Sequence, residues 1–143
     1  MAATVIASTA ELLGASFNAP AHLPFDLLIY YGRGGSATNP GLPPGFLPIA
    51  SAVGTGGNAG RFAVGYMISP GGTVTIPAAD ASTSCRTLTV LRGHNVANPI
   101  GAIATFETTT AQNTLTFPAC NFLQNDGTSI AFAGASSGGT NID

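Results

Sequence analysis

The residues that could do chemistry are few in this sequence and lie far apart. Its 143 residues include four arginines, no lysine, six acids, two histidines and two cysteines. A zinc site needs three or four nitrogen or sulfur ligands, and His22 and His94 have no partner at ligand spacing. No loop carries two nearby acids for calcium, and no carboxylate pair is placed for glycoside hydrolysis. We therefore predict no metal, no cofactor and no catalytic residue.

Two short motifs match enzyme patterns, but both fail on context. Gly134-Ala-Ser-Ser-Gly138 has the Gly-x-Ser-x-Gly form of serine hydrolases, in which a helix follows the serine and the histidine comes last. Both histidines of this chain lie upstream of the motif. Gly54-Thr-Gly-Gly-Asn-Ala59 is similar to a dinucleotide fingerprint, which must open a helix, whereas the segment after it alternates with period two. We predict that the protein is not an enzyme.

Charge is the unusual feature of the composition. Charged residues make up 7% of the chain, against about 25% in an average soluble protein. No basic patch could follow a phosphate backbone, so we predict no nucleic-acid binding. We also predict no membrane span and no secretory signal, because no apolar run reaches the necessary length and the start lacks positive charge. A neutral surface favours self-association, although compositional drift in a GC-rich genome would give the same composition.

Short apolar runs cut by Gly, Pro, Asn and Ser predict strands rather than helices. We predict a single domain over residues 1–143, an all-β, antiparallel, jelly-roll-like β-sandwich of about eight strands. One turn of helix is predicted at 8–13, where Ser8 could cap and Glu11 follows three residues later. Strands are predicted at 4–8, 15–18, 25–31, 46–53, 61–68, 73–76, 86–92, 103–108, 114–117 and 128–133.

The segment 61–68 is the clearest strand, because large and small residues alternate along it. Its large residues are expected to face the core, and its small face could accept a close neighbour or simply lie under a loop. A type II turn is predicted at 69–72 and a hairpin loop at 125–127, with surface loops at 32–45 and 54–60. The predicted core is Leu27, Ile29, Phe62, Val64, Tyr66, Leu88, Val90, Ile103, Ile130 and Phe132.

Three residues are assigned structural roles. Asp26 precedes the apolar run 27–31 and is expected to begin a strand and to accept hydrogen bonds from a loop. Arg92 ends a strand before Gly93, where its guanidinium could bond loop carbonyls or a carboxylate such as Asp26. Cys85 and Cys120 are predicted to be free thiols.

Three segments, read together, resemble small β-sandwich virion proteins of tailed bacteriophages. Residues 25–30 (Phe-Asp-Leu-Leu-Ile-Tyr) resemble a Gly-Asp-Leu-Leu-Val strand, and 42–49 (Leu-Pro-Pro-Gly-Phe-Leu-Pro-Ile) resemble a Pro-Pro-Gly-Trp segment. Residues 87–100 end in Arg-Gly-His-Asn-Val-Ala-Asn-Pro-Ile and resemble a Tyr-Arg-Gly…Asn-Pro-Ile strand and loop. Phe25, Phe46 and Leu91 depart from this pattern, replacing its Gly, Trp and Tyr.

The resemblance implies a structural virion protein, assembled in the host cytoplasm, that decorates the phage head. Its expected partners are further copies of itself, in a symmetric oligomer such as a trimer, and the major capsid protein. A tail location shares the same motifs. The alternative is a tail-fibre or surface module that binds host glycans, which the absence of Trp makes less favourable.

Overall fold

The protein folds as antiparallel β-structure in a computed structural model that describes residues 3–12, 14–34, 40–53, 61–79 and 83–104. These residues contain no helix, so none of them forms a helix long and apolar enough to span a membrane. The all-β prediction is confirmed. The strands are β1 (Thr4–Leu12), β2 (Phe17–Asn18), β3 (Leu27–Gly34), β4 (Leu47–Val53), β5 (Arg61–Ile68), β6 (Thr75–Ile76) and β7 (Thr83–Arg92).

Five of these strands form one sheet in the order β1-β7-β3-β5-β4, and β2 pairs with β6 in a separate two-stranded ribbon. Every pairing is antiparallel. The central strand β3 comes from a continuous apolar run, and its residues from Leu27 to Tyr31 are all buried. A continuous run of this kind is typical of a strand that is covered on both faces.

The two faces of the sheet carry separate apolar clusters. On one face, Leu28 and Tyr30 pack with Leu88 and Val90 of β7 and with Ile76 of the ribbon. The other face holds Leu27, Ile29, Tyr31, Val64 and Leu91, with Phe62, Tyr66 and Ile68 packed against them. The ribbon therefore forms a second layer over one face of the five-stranded sheet.

A buried arginine lies on the ribbon side of the sheet. The Arg86 side chain is 2% exposed, and its guanidinium donates to Glu11 Oε2 of β1 at 3.0 Å from Nη2 and 3.3 Å from Nε. It also donates to the carbonyl of Pro77 at 2.6 Å and to that of Ala15. Its Cζ lies 5.1 Å from the centre of the Phe17 ring, a cation–π distance. One side chain thus joins β1, β7 and the end of the ribbon where β2 begins and β6 ends.

This arrangement corrects the helix predicted at 8–13, since residues 8–12 belong to β1. Pairing of β1 with β7 supplies the backbone hydrogen bonds that a helix would have made, from Thr4 opposite Arg92 to Leu12 opposite Cys85. Glu11 caps no helix. Its carboxylate instead accepts from the backbone amides of Gly14 and Ala15, each at 3.0 Å, as the chain leaves the strand.

Other predictions of the fold had mixed outcomes. The strand at 61–68 is exact, and each of the other strands predicted up to residue 92 is present with shifted ends. The loop predicted at 32–45 was wrong at its start, because residues 32–34 continue β3; residues 40–45 do lie outside any strand, although Pro40 and Pro43 are buried. Ile103 was wrongly assigned to the core, since it is 52% exposed; residues 103–104 of the strand predicted at 103–108 lie outside any strand, and 105–108 lie outside the described residues. The predictions at 54–60, 114–117, 125–127 and 128–133 and at Cys120, Ile130, Phe132 and Gly134-Ala-Ser-Ser-Gly138 lie outside the described residues.

The small face of β5 does accept a close neighbour. A β-carbon added at Gly65 would lie 2.7 Å from Leu42 Cδ2 and 2.9 Å from the carbonyl oxygen of Leu47. The first contact could relax by a rotation of the leucine, but the second is with backbone of the paired strand. The absence of a side chain at residue 65 is therefore a packing requirement.

We expect Gly65→Ala to lower the free energy of unfolding by about 1–3 kcal/mol, the usual cost of forcing an extra carbon into a packed interior. The matched control is Gly41→Ala, because a β-carbon there would meet nothing within 4 Å. Urea unfolding followed by circular dichroism gives both values. Equal stability of the two variants would show that β4 and β5 do not approach as closely as described.

Candidate functional site

The residues with assigned roles meet at the turn that leads into β3. Leu23, Pro24, Phe25 and Asp26 form this turn, closed by a hydrogen bond of 3.2 Å from the amide of Asp26 to the carbonyl of Leu23. Proline is at the second position, and the third position, Phe25, has a φ of 68°. These are the features of a type II turn.

Phe25 is an unusual residue for its position. The third position of a type II turn requires a positive φ, which glycine adopts freely and other L-residues adopt at a cost of about 1–2 kcal/mol. Two more turns of this chain have proline second, and their third residues, Gly45 and Gly71, have φ values of 84° and 83°. Phe25 is the only non-glycine residue with positive φ among the described residues. The same turn is thus built with glycine twice and with phenylalanine once.

The turn is held firmly against the end of β5. The amide of Phe25 donates to the carbonyl of Ser69 at 2.9 Å, and the amide of Ser69 donates to the carbonyl of Asp26 at 2.7 Å. The two turns also touch, because a β-carbon at Gly71 would lie 2.8 Å from Cγ of Pro24. The unfavourable φ of Phe25 is therefore fixed by hydrogen bonds on both sides of it.

Asp26 and Arg92 form a bidentate ion pair at this turn. Arg92 donates from Nε to Oδ1 at 2.8 Å and from Nη2 to Oδ2 at 2.7 Å, and the amide of Leu23 donates to Oδ2 at 2.7 Å. The contact that the sequence suggested between these two residues is present. Asp26 is buried, whereas the Arg92 side chain is 43% exposed. Gly93, with a φ of 85°, redirects the chain just after the arginine.

The ion pair sets the charge of the site. Hydrogen bonds from Arg92 lower the pKa of Asp26 below its ordinary value; burial opposes this, and the amide of Leu23 adds to it. The same hydrogen bonds raise the pKa of Arg92. Both groups stay charged near neutral pH and neutralise each other. The site therefore offers neither a free base nor a free acid.

The two histidines lie close enough to Asp26 for electrostatic interaction with its carboxylate. They do not form a set of metal ligands with it. Burial lowers the pKa of His94, and the charge of Asp26 acts in the opposite direction. Both ring nitrogens of His94 are buried without a hydrogen-bond partner, and His22 Nδ1 lies 2.7 Å from the carbonyl of Pro20. No three His, Cys, Asp or Glu side chains gather at a possible metal site within the described ranges. Cys85 is a free thiol there.

The outer face of the turn is apolar. The Phe25 ring is 68% exposed and the neighbouring Leu23 is 55% exposed, directly beside the buried carboxylate of Asp26. A large apolar side chain that stays in contact with solvent contributes no hydrophobic stabilisation to the fold. It would contribute only if another surface covered it. This arrangement can bind an apolar surface.

Two functional residues were not found by reasoning from the sequence. Arg86 had a usable signal, because it shares a strand face with Leu88 and Val90, which were assigned to the core. A buried arginine then requires a carboxylate. Phe25 also had a signal in the Pro-Phe pair, read beside Pro-Gly at 44–45 and 70–71. Recognising it required knowing that residues 23–26 form a turn.

We expect Arg92→Ala to destabilise the protein more than Asp26→Ala. Loss of the arginine leaves a buried carboxylate with one backbone donor, whereas loss of the aspartate leaves a half-exposed guanidinium that water can solvate. For Asp26→Ala the free energy of unfolding should fall by about 1–3 kcal/mol, through lost hydrogen bonds to a charged group. Urea unfolding of both variants and of the double variant measures the coupling. The reverse order would show that Asp26 stabilises the turn chiefly through its bond from the Leu23 amide and needs no partner in Arg92.

Stability should fall in acid. The pKa values of Glu11 and Asp26 are lowered from ordinary values of 4.5 and 3.8. For Glu11, burial opposes the change, and hydrogen bonds from Arg86 and the turn amides outweigh it. The unfolded chain therefore binds more protons in acid, so the stabilisation is complete above these values and is lost as pH falls through the lower folded values. In urea unfolding across this range, Asp26→Asn should show a shallower dependence, and an unchanged slope would contradict the assignment.

Comparison with known proteins adds no relative to this description. No family model matches the chain, and neither a curated protein nor a solved structure is significantly similar to it. The interpretation of the site therefore rests on the turn, the ion pair and the exposed apolar side chains.

Proposed function

We propose that this chain is a structural virion protein of a tailed phage, a capsid decoration protein that stabilises the head. It binds the major capsid protein and further copies of itself in a symmetric oligomer such as a trimer. The single observation that carries the proposal is the placement of charge. Four of the six charged groups of the described residues form ion pairs within the fold, and the other two, Arg33 and Arg61, are half-buried.

The charge placement can be followed residue by residue. Six charged residues are described, and of these only Arg92 is exposed. Its guanidinium is bound by Asp26. Arg86 and Glu11 form the second internal pair. Small soluble proteins ordinarily keep apart by exposed charge. A surface without it is suited to permanent coverage by neighbouring subunits.

Exposed apolar side chains support the same conclusion. Among the described residues, seven large hydrophobic ones are more than two-fifths exposed: Val5, Ile6, Leu23, Phe25, Leu47, Val96 and Ile103. They are distributed over β1, the turn before β3, β4 and the segment after β7. Apolar residues at several places on one small domain are consistent with more than one contact surface, as a subunit touching both capsid and neighbouring copies requires.

The assignment to a phage rests on the resemblance of the three segments. The turn geometry supports one part of that resemblance, because the position of Phe25 corresponds to a glycine in the pattern and its φ is positive here. The second segment also contains a glycine at the third position of a type II turn, Gly45, with the amide of Phe46 bonded to the carbonyl of Pro43. These motifs thus mark turns that the fold requires.

The glycan-binding alternative receives less support. Sugar sites combine exposed aromatic faces with polar groups, yet Tyr30 and Tyr31 are buried. Phe25 is the one exposed aromatic side chain among the described residues, and its neighbours Leu23 and Pro24 are apolar. This surface is suited to another protein more than to a carbohydrate.

The proposal is tested by the copy number of the protein in purified virions, measured against the major capsid protein by quantitative mass spectrometry. We expect a number comparable to that of the capsid protein, because a decoration protein occupies repeated sites of the capsid lattice. A matched measurement on a tail protein of the same particles gives the value for a minor component. A copy number near that lower value would refute capsid decoration.

A further inference from the structure

The segment 93–100, called the strap below, leaves the sheet at the end of β7 and returns to it at Ile100. Gly93, with a φ of 85°, turns the chain at the start of the strap. In its middle, Asn95 Oδ1 accepts hydrogen bonds from the amides of residues 97 and 98 at 3.0 and 3.3 Å. Ile100 packs against the apolar cluster on the face of the sheet away from the ribbon. The middle of the strap is exposed, whereas His94 and Ile100 near its two ends are half-buried.

His94 is a titratable residue buried in an unusual way. Both nitrogens of its ring are buried without a hydrogen-bond partner. A neutral imidazole tolerates this at the moderate cost of unpaired polar groups. A protonated ring would bury a positive charge together with two N–H donors that no group accepts, and this cost is much larger. Burial accordingly lowers the pKa of His94 from its ordinary value of 6.5.

The charges around the ring do not compensate a proton on it. Asp26 attracts a positive His94, but both oxygens of that carboxylate already accept from Arg92, and one of them also accepts from the amide of Leu23. Arg92 is itself positive, and His22 acts on the same carboxylate. Within the described residues, these are the charged and titratable groups near His94. A protonated ring is therefore stabilised by moving into water.

We propose that the strap is a pH-sensitive device, which stays on the sheet while His94 is neutral and leaves it when the ring is protonated. Gly93 is the hinge, because a residue without a side chain can change its backbone angles at little cost. Departure of the strap removes Ile100 from the apolar cluster and uncovers that part of the sheet. The contacts involved lie within one chain, so the inference does not depend on capsid decoration.

The direction of the pH effect follows from the lowered pKa of His94. The released strap binds the proton more readily than the bound strap, so binding is strongest above pH 6.5 and is lost as pH falls through the lower bound value. Each pH unit between the two pKa values raises the released population about tenfold. Glu11 and Asp26 titrate at lower pH, because their pKa values are lowered from 4.5 and 3.8. The range between pH 6.5 and 4.5 therefore reports on the histidines.

The test is an NMR titration of the full chain from about pH 7.5 to about pH 4.5, across the range in which histidine changes its charge. The δ1 methyl groups of isoleucine and the ring protons of histidine are followed together. We expect the Ile100 methyl signal to move to its unfolded position with the same midpoint as the His94 ring, below pH 6.5. The methyl signal of Ile76, which is buried under the ribbon, should not move.

Two variants assign the transition to one histidine. His94→Phe keeps a ring but cannot take up a proton, so Ile100 should stay in place over the whole range. His22→Phe is the matched control and should leave the transition as it is in wild type. A stationary Ile100 while His94 titrates would show that the ring turns outward alone, and this would overturn the proposal. A midpoint at or above pH 6.5, or a transition that persists in His94→Phe, would also overturn it. The wild-type titration gives a decision even if a variant does not fold.

Discussion

The enclosed guanidinium of Arg86 is the constraint on which the rest of the structure depends. A buried arginine is tolerated only when its donors are satisfied, and here the partners come from β1, the segment before β2 and the segment after β6. Satisfying one side chain therefore fixes where the first strand, the last described strand and the ribbon lie relative to one another. The Phe17 ring over the guanidinium completes its enclosure and ties the ribbon to the apolar cluster on that face of the sheet.

The second ion pair also fixes the relative positions of segments that are far apart in the sequence. Asp26 and Arg92 join the turn before β3 to the end of β7, at the end of these two strands where Leu27 lies opposite Leu91. Together the two pairs involve two of the four arginines and two of the six acids of the chain. Within the described residues, these two pairs thus hold together segments that are far apart in the sequence.

Most of the strands could be predicted because residue alternation and turn residues are visible in short stretches of the sequence. The alternation at 61–68 gave β5 exactly, and the Pro-Gly pair at 70–71 gave a turn whose Gly71 has the positive φ of a type II turn. Ser8 and Glu11 led to the wrong prediction of a helix at 8–13. A serine followed three residues later by a glutamate is typical of a helix cap, but here both lie in a strand whose end forms an ion pair. Only the pairing with β7, some 80 residues away, separates the two. The role of Phe25 was hidden for the same reason, since exposure and φ belong to the folded chain.

The pairing of β1 with β7 also determines the order in which the chain can fold as it is synthesised. Thr4 lies opposite Arg92 and Leu12 opposite Cys85, so β1 finds this partner only after roughly 70–90 further residues have been made. At about 5–20 residues per second, this is a delay of about 4–18 s. β3, β4 and β5 can pair with one another earlier, because their residues lie close together in sequence. The sheet therefore grows from its β3–β5–β4 side, and the burial of Arg86 against Glu11 is a late step that closes the fold.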